Sequence, residues 1–177
     1  MSGAAWAGTQ LIVSPRIDDI AVGLFCAPQS SGRRPAPDTM AGWVHVPDQP
    51  VEMVAEGQFV PAILGVGFGV RFVLDGDETA RIRFTVQHPP MPPDNITSQS
   101  WTSEFSPGSI ETMFFQFDFE NELQPGDWSF RATLDGEDLF DVGFTVQPPS
   151  ALPGLVGICQ GGSLLSFNPP QRRAATG

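Results

Sequence analysis

Apolar and polar positions alternate with a period of two along most of this chain. In Ile17–Cys26, the residues Ile20, Val22, Leu24 and Cys26 fall on one face, which predicts a first strand with Cys26 turned to the core. A second strand is expected over 40–46, carrying Trp43 and His45, with a short edge strand near 51–54. Val66–Leu74 and 81–87 read as the third and fourth. In the fourth, Ile82, Phe84 and Val86 point one way and Arg81, Arg83 and Thr85 the other. The link between them, Asp75-Gly76-Asp77-Glu78, has the chemistry of a hairpin turn. A fifth strand over 111–119 sets Met113, Phe115, Phe117 and Phe119 against Phe114, Gln116 and Asp118. The sixth, over 128–134, alternates Trp128, Phe130, Ala132 and Leu134. Asp135-Gly136 then turns the chain into a seventh over 139–147, with Phe140, Val142, Phe144 and Val146 inward.

Other stretches break the pattern. Residues 27–39 read as a Pro/Ser/Gly loop, and 88–94 contain four prolines, which predicts an extended, polyproline-like connection. Residues 95–108 read as a long polar loop with at most a short strand at Trp101-Thr102. The stretch 150–177 reads as a tail whose apolar patch, 152–159, covers a sheet edge or the space near Cys26. No helical period and no solenoid repeat is present. Half-polar strands argue for antiparallel pairing. The expected fold is therefore an all-β, immunoglobulin-like antiparallel sandwich of about seven strands. It would span 14–149, between an N-terminal segment (1–13) and the irregular tail.

Several segments together resemble a bacterial family catalogued as a domain of unknown function. They are Ala41-Gly42-Trp43, Pro61-Ala62-Ile63-Leu64-Gly65-Val66-Gly67-Phe68-Gly69, His88-Pro89-Pro90-Met91, Gln99-Ser100-Trp101 and Pro125-Gly126-Asp127-Trp128-Ser129-Phe130. The resemblance covers roughly residues 15–148 and implies a compact β domain with no assigned activity. Cys26 followed by Trp43 is similar to the first half of an antibody-like Cys…Trp…Cys pattern. The second cysteine, Cys159, lies in the tail, so that likeness is one of architecture.

Composition narrows the function. The 177 residues carry a formal net charge of −11, and all nine cations are arginine. An anionic surface repels phosphate backbones and anionic membranes, so no nucleic-acid partner is expected. The longest apolar runs are far short of a membrane span. The absence of lysine excludes Schiff-base chemistry and a P-loop. The N-terminus lacks a basic region and apolar core of a signal peptide, which predicts a cytoplasmic protein. In that compartment Cys26 and Cys159, the candidate disulfide pair, are expected as free thiols.

Candidate chemistry is sparse. Gly65-Val66-Gly67-Phe68-Gly69 has the wrong spacing for a dinucleotide loop and is followed by a strand, so close packing explains it. His45 and His88 are the only histidines, too few for a zinc set and without a nucleophile motif. His88, before two prolines, is expected to hydrogen-bond locally. The acidic turns 75–78 and 135–138 each offer calcium too few oxygens. Arg71, Arg81, Arg83 and Arg131 would form an anion-binding stripe if adjacent; otherwise they pair with carboxylates across strands. Trp6, Trp101 and Phe114 fit no core face and mark either a partner surface or a minor core. No cofactor is expected. The sequence points first to a non-enzymatic protein-binding or structural module, acting on a protein partner or by self-association. A small-molecule or ion-binding domain using the arginines or acidic turns is the alternative. An enzyme built on His88 or His45 comes third.

Overall fold

The structure, a computed structural model, describes residues 10–28 and 31–160. Trp6 lies outside the described residues. Twelve strands run in chain order: β1 (Leu11–Val13), β2 (Ile17–Cys26), β3 (Ser31–Pro35), β4 (Trp43–Pro47), β5 (Met53–Glu56), β6 (Phe59–Pro61), β7 (Val66–Leu74), β8 (Ala80–Met91), β9 (Ile96–Phe105), β10 (Ile110–Gln116), β11 (Gly126–Leu134) and β12 (Glu137–Gln147). The larger sheet has the order β1-β12-β11-β8-β9, with β6 also on β12; the smaller has β10-β7-β2-β5; β3 and β4 pair separately. All pairings are antiparallel except β6 on β12. The architecture is an immunoglobulin-like β-sandwich.

The alternating apolar faces meet between the sheets. Phe68 of β7 packs on Phe144 of the larger sheet and Phe72 on Phe84 and Phe140, with Phe130 against those two, all fully buried. Ring centroids such as Phe68–Phe144 at 4.8 Å and Phe72–Phe140 at 5.6 Å show a continuous aromatic core. Each such ring contributes roughly 1.5–3 kcal/mol by leaving water. Asp135 (φ 53°) and Gly136 (φ 84°) supply the left-handed backbone that the β11–β12 hairpin needs.

Four expectations are corrected. Residues 75–78 do not close a hairpin: β7 and β8 belong to different sheets, and the turn carries the chain across the sandwich. Asp-Gly licenses a tight turn without deciding which strands then pair. Residues 27–39 are not all loop, because β3 pairs with β4 there. Residues 96–105 form a full strand, β9, whose Ser/Thr-rich sequence reflects its place at the sheet edge. The proline run is partly strand: β8 continues to Met91, which pairs with Ile96. It does so through an irregularity after Gln87, where β11 no longer flanks it and a missing N–H costs no ladder bond.

Past β12 the chain makes two short 3-10 turns, and Leu155, Ile158 and Cys159 pack against the core. Cys159 is joined to Cys26 of β2 in a disulfide, Cα–Cα 5.3 Å, in place of the two free thiols expected. The tail returns past Phe25 and so brings the two sulfurs together, whatever their separation along the chain. Among the described residues no helix is long and apolar enough to cross a membrane.

Candidate functional site

On one side of the sandwich both sheets end in an edge strand, β9 of the larger and β10 of the smaller. The β3–β4 hairpin stands across this open side. Its turn is built locally: Ala36 N–H donates to Gly42 O (2.9 Å), the Thr39 hydroxyl donates to Ala36 O (2.7 Å), and Gly42 takes φ 75°. The hairpin closes the β9 edge. Ser100 N–H donates to Asp38 O (3.1 Å), and Arg34 donates to Thr102 O and Ser103 Oγ, both at 2.7 Å. It reaches the other sheet through His45, whose Nε2 lies 2.9 Å from Asp118 Oδ2.

Between β4, β9 and β10 a cleft of about 690 Å³ remains. That is the size of a ligand pocket. Trp43, Val46, Trp101, Phe105, Met113 and Phe114 give it apolar walls; Gln99, Gln116, Asp118, Glu104 and Glu111 give it polar ones. Two atoms stand out. The indole Nε1 of Trp101 and the amide Oε1 of Gln116 are buried without a hydrogen-bond partner. Their residues are 7% and 8% exposed, and both line the cleft. An unpaired buried donor or acceptor costs about 1–3 kcal/mol. The orientation of Gln116 is fixed because its Nε2 donates to Asp118 Oδ1 at 2.7 Å, which leaves the oxygen free.

Glu122 also lines the cleft and is 3% exposed. Its Oε2 accepts the N–H of Asp118 (2.6 Å) and of Phe119 (3.0 Å). Burial nevertheless pushes its carboxyl up to about 7, with the two amides pulling the other way.

Ser31 Oγ lies 2.9 Å from His45 Nδ1, so Ser31, His45 and Asp118 follow one another as in a hydrolytic relay. Ser31 pairs across the hairpin with Pro47 and does not line the cleft, so the cleft offers its hydroxyl no adjoining substrate space. The relay ties the hairpin to the smaller sheet. His88 is engaged locally, as its sequence suggests: Nδ1 is 2.8 Å from Pro89 O, Nε2 is 3.3 Å from Gln99 Nε2, and burial lowers its pKa. It borders a smaller depression of about 350 Å³ beside Trp128 and Ser129.

The four arginines do not form one stripe. Arg71 lies on β7, in the smaller sheet, while Arg81, Arg83 and Arg131 lie on β8 and β11. Arg131 is held by Asp141 (2.7 Å) and Asp138 (3.9 Å), and its pKa is raised chiefly by the Asp141 hydrogen bond. Arg83 meets Ser100 Oγ (2.6 Å) and Asp38 (3.7 Å); Arg81 stands opposite Glu104. Among the described residues, no group of three or more His, Cys, Asp or Glu is placed to hold a metal ion.

Of the unplaced aromatics, Trp101 is buried rather than exposed, stacked on Phe84 at 6.0 Å. Phe114 lies on Phe25 at 5.1 Å, above Gly67 and Gly69. A Cβ on Gly67 would stand 2.8 Å from the Phe114 ring, and one on Gly69 2.6 Å from the Phe114 Cα. The glycine run thus packs against an aromatic strand. Both aromatics shape the cleft. Gln116, Glu122 and Asp118 were not singled out by sequence, since only folding brings Asp118 to His45.

Comparison with known proteins agrees with this architecture. An immunoglobulin-like protein from Pseudomonas aeruginosa, solved as a crystal structure, is 20% identical and covers 80% of this chain and 100% of its own, with a TM-score of 0.52. That likeness concerns fold alone. No curated protein matches the chain. A family described as a domain of unknown function (DUF3859) matches residues 13–146, and the chain belongs to that family.

Proposed function

We propose that this domain is a non-enzymatic protein-binding module and that the cleft between the β3–β4 hairpin and the β9 and β10 edges is its contact surface. One observation carries the reading. A donor, Trp101 Nε1, and an acceptor, Gln116 Oε1, are buried without partners on residues that line a cleft of mixed aromatic, aliphatic and polar walls. A peptide group supplies both complements at once, and an apolar side chain beside it fills the remaining space. The alternative use of outward arginines for an anion loses support because Arg83 and Arg131 are already engaged by carboxylates.

The test is a nitrogen-15 NMR titration of the full chain with N-acetylphenylalanine methylamide, a blocked amide with one apolar ring. The Trp101 indole resonance, assigned through Trp101→Phe, is expected to move, and Gln116→Leu to abolish the response. Shifts confined to residues outside the cleft would refute the reading.

A further inference from the structure

We propose that the occupant of this cleft is an extended, cationic segment of a partner protein, added as a strand along β10. The proposal rests on the reading of the cleft as the contact surface and names what enters it.

β10 is hydrogen-bonded on one side only. It pairs with β7 from Ile110 to Gln116 without a register shift, and among the described residues no strand pairs with its other edge. β4 is likewise paired only with β3. All seven residues of β10 and all five of β4 line the cleft, so two free edges face one gap. The phase of the ladder shows which amides are open. Phe117 N–H donates to Val66 O at 3.0 Å, so odd-numbered amides turn to β7. By alternation, Thr112, Phe114 and Gln116 present N–H and C=O to the gap. The next amide in that row, Asp118, is met by Glu122 Oε2, an acceptor standing where a neighbouring strand would place a carbonyl.

An edge of seven residues, about 24 Å long, is usually blunted by lysine, proline or a bulge. β10 has none of these, and Ile110 at its start is 71% exposed. Charge selects the partner. Asp48, Glu104 and Glu111 border the gap with no ion pair among the described residues. Arg34, the only arginine lining it, is turned onto Thr102 and Ser103. Main-chain bonds along β10 would give affinity, alternate apolar side chains would meet the aromatic wall, and outward cations would meet the carboxylates.

The experiment uses the full chain and fluorescein-labelled octapeptides of alternating arginine and valine, the same sequence N-methylated at every second residue, and alternating glutamate and valine. The arginine peptide is expected to bind. The N-methylated and glutamate peptides should each bind at least about tenfold more weakly. Thr112→Pro removes one outward N–H and leaves the β7 ladder intact, so it should weaken the arginine peptide similarly. The N-methylated peptide keeps the test valid if that variant fails to fold. Equal binding of the N-methylated peptide would overturn strand addition while leaving the cleft as a contact surface. Equal binding of the glutamate peptide would overturn the charge assignment. A dimer in light scattering that Thr112→Pro dissolves would assign the edge to a second copy and overturn the proposal. No binding by any peptide, with N-acetylphenylalanine methylamide also silent at the cleft, would overturn both readings.

Discussion

Glu122 and His88 are buried titratable groups that pull stability in opposite directions with pH. The Glu122 carboxyl is raised from 4.5 to about 7, so the folded state keeps a proton that the unfolded chain has released. Its contribution to stability therefore falls as pH rises from about 4.5 to 7, by at most about 3 kcal/mol. The pKa of His88 is lowered by burial, so its contribution is present above the ordinary 6.5 and is lost as pH falls below it. Urea denaturation between about pH 5 and pH 8 is expected to show the two slopes partly cancelling. Glu122→Gln keeps an oxygen for both amides and removes the falling slope, so the variant's stability should rise with pH through the His88 window. An unchanged profile would show that Glu122 is already ionised at pH 5.

At the scale of elements, the glycines of β7 decide whether the smaller sheet forms. A methyl at Gly69 meets the backbone of Met113 and Phe114, which cannot move without shifting β10. Gly69→Ala is expected to cost more than about 2 kcal/mol, whereas Gly32→Ala, whose nearest neighbour is 3.7 Å away, should stay within about 0.5 kcal/mol. Thermal unfolding of the two variants tests the contrast. The same scale explains which strands could be read from sequence. β7, β11 and β12 bury one face almost completely, and β2 buries Leu24 and half-buries Ile20 and Val22, so their alternation survives in the residues. β9 could not be read this way: Ser98, Ser100, Thr102 and Ser103 are loop residues by composition, and only the β8 ladder makes them strand. The extension of β8 through Pro89 and Pro90 was hidden for the same reason, since the tolerance for proline arises from an absent neighbour. Residues 75–78 show the converse case, in which correct turn chemistry gave the wrong partner.

At the scale of the molecule, sheet order decides what the cleft contains. Trp101 and Phe114 were already anomalous in sequence because neither fitted a core face; the resolution is that both stand where the two sheets open. Asp118 and Gln116 carried no such signal, because 73 and 71 residues separate them from His45 and nothing local links them. The cysteines show the same limit: 133 residues separate them, and only the return path of the tail past Phe25 brings Cys159 to Cys26.

That bond makes residues 26–159 a covalent ring enclosing ten of the twelve strands, β3 to β12. With no lysine in the chain, trypsin can cut only at arginine; Arg33, Arg71, Arg81, Arg83 and Arg131 lie inside the ring, Arg34 there precedes Pro35 and resists cleavage, and Arg16, Arg172 and Arg173 lie outside it. A single cut at any cleavable arginine inside it opens the ring to a line without detaching a piece. Limited digestion should therefore show one band on a non-reducing gel and two fragments after reduction. Separation without reductant of two fragments divided at one of the cleavable arginines inside the ring would mean that the ring is not closed. A nick in the exposed hairpin at Arg33 would leave both halves held together, and the aromatic core with them.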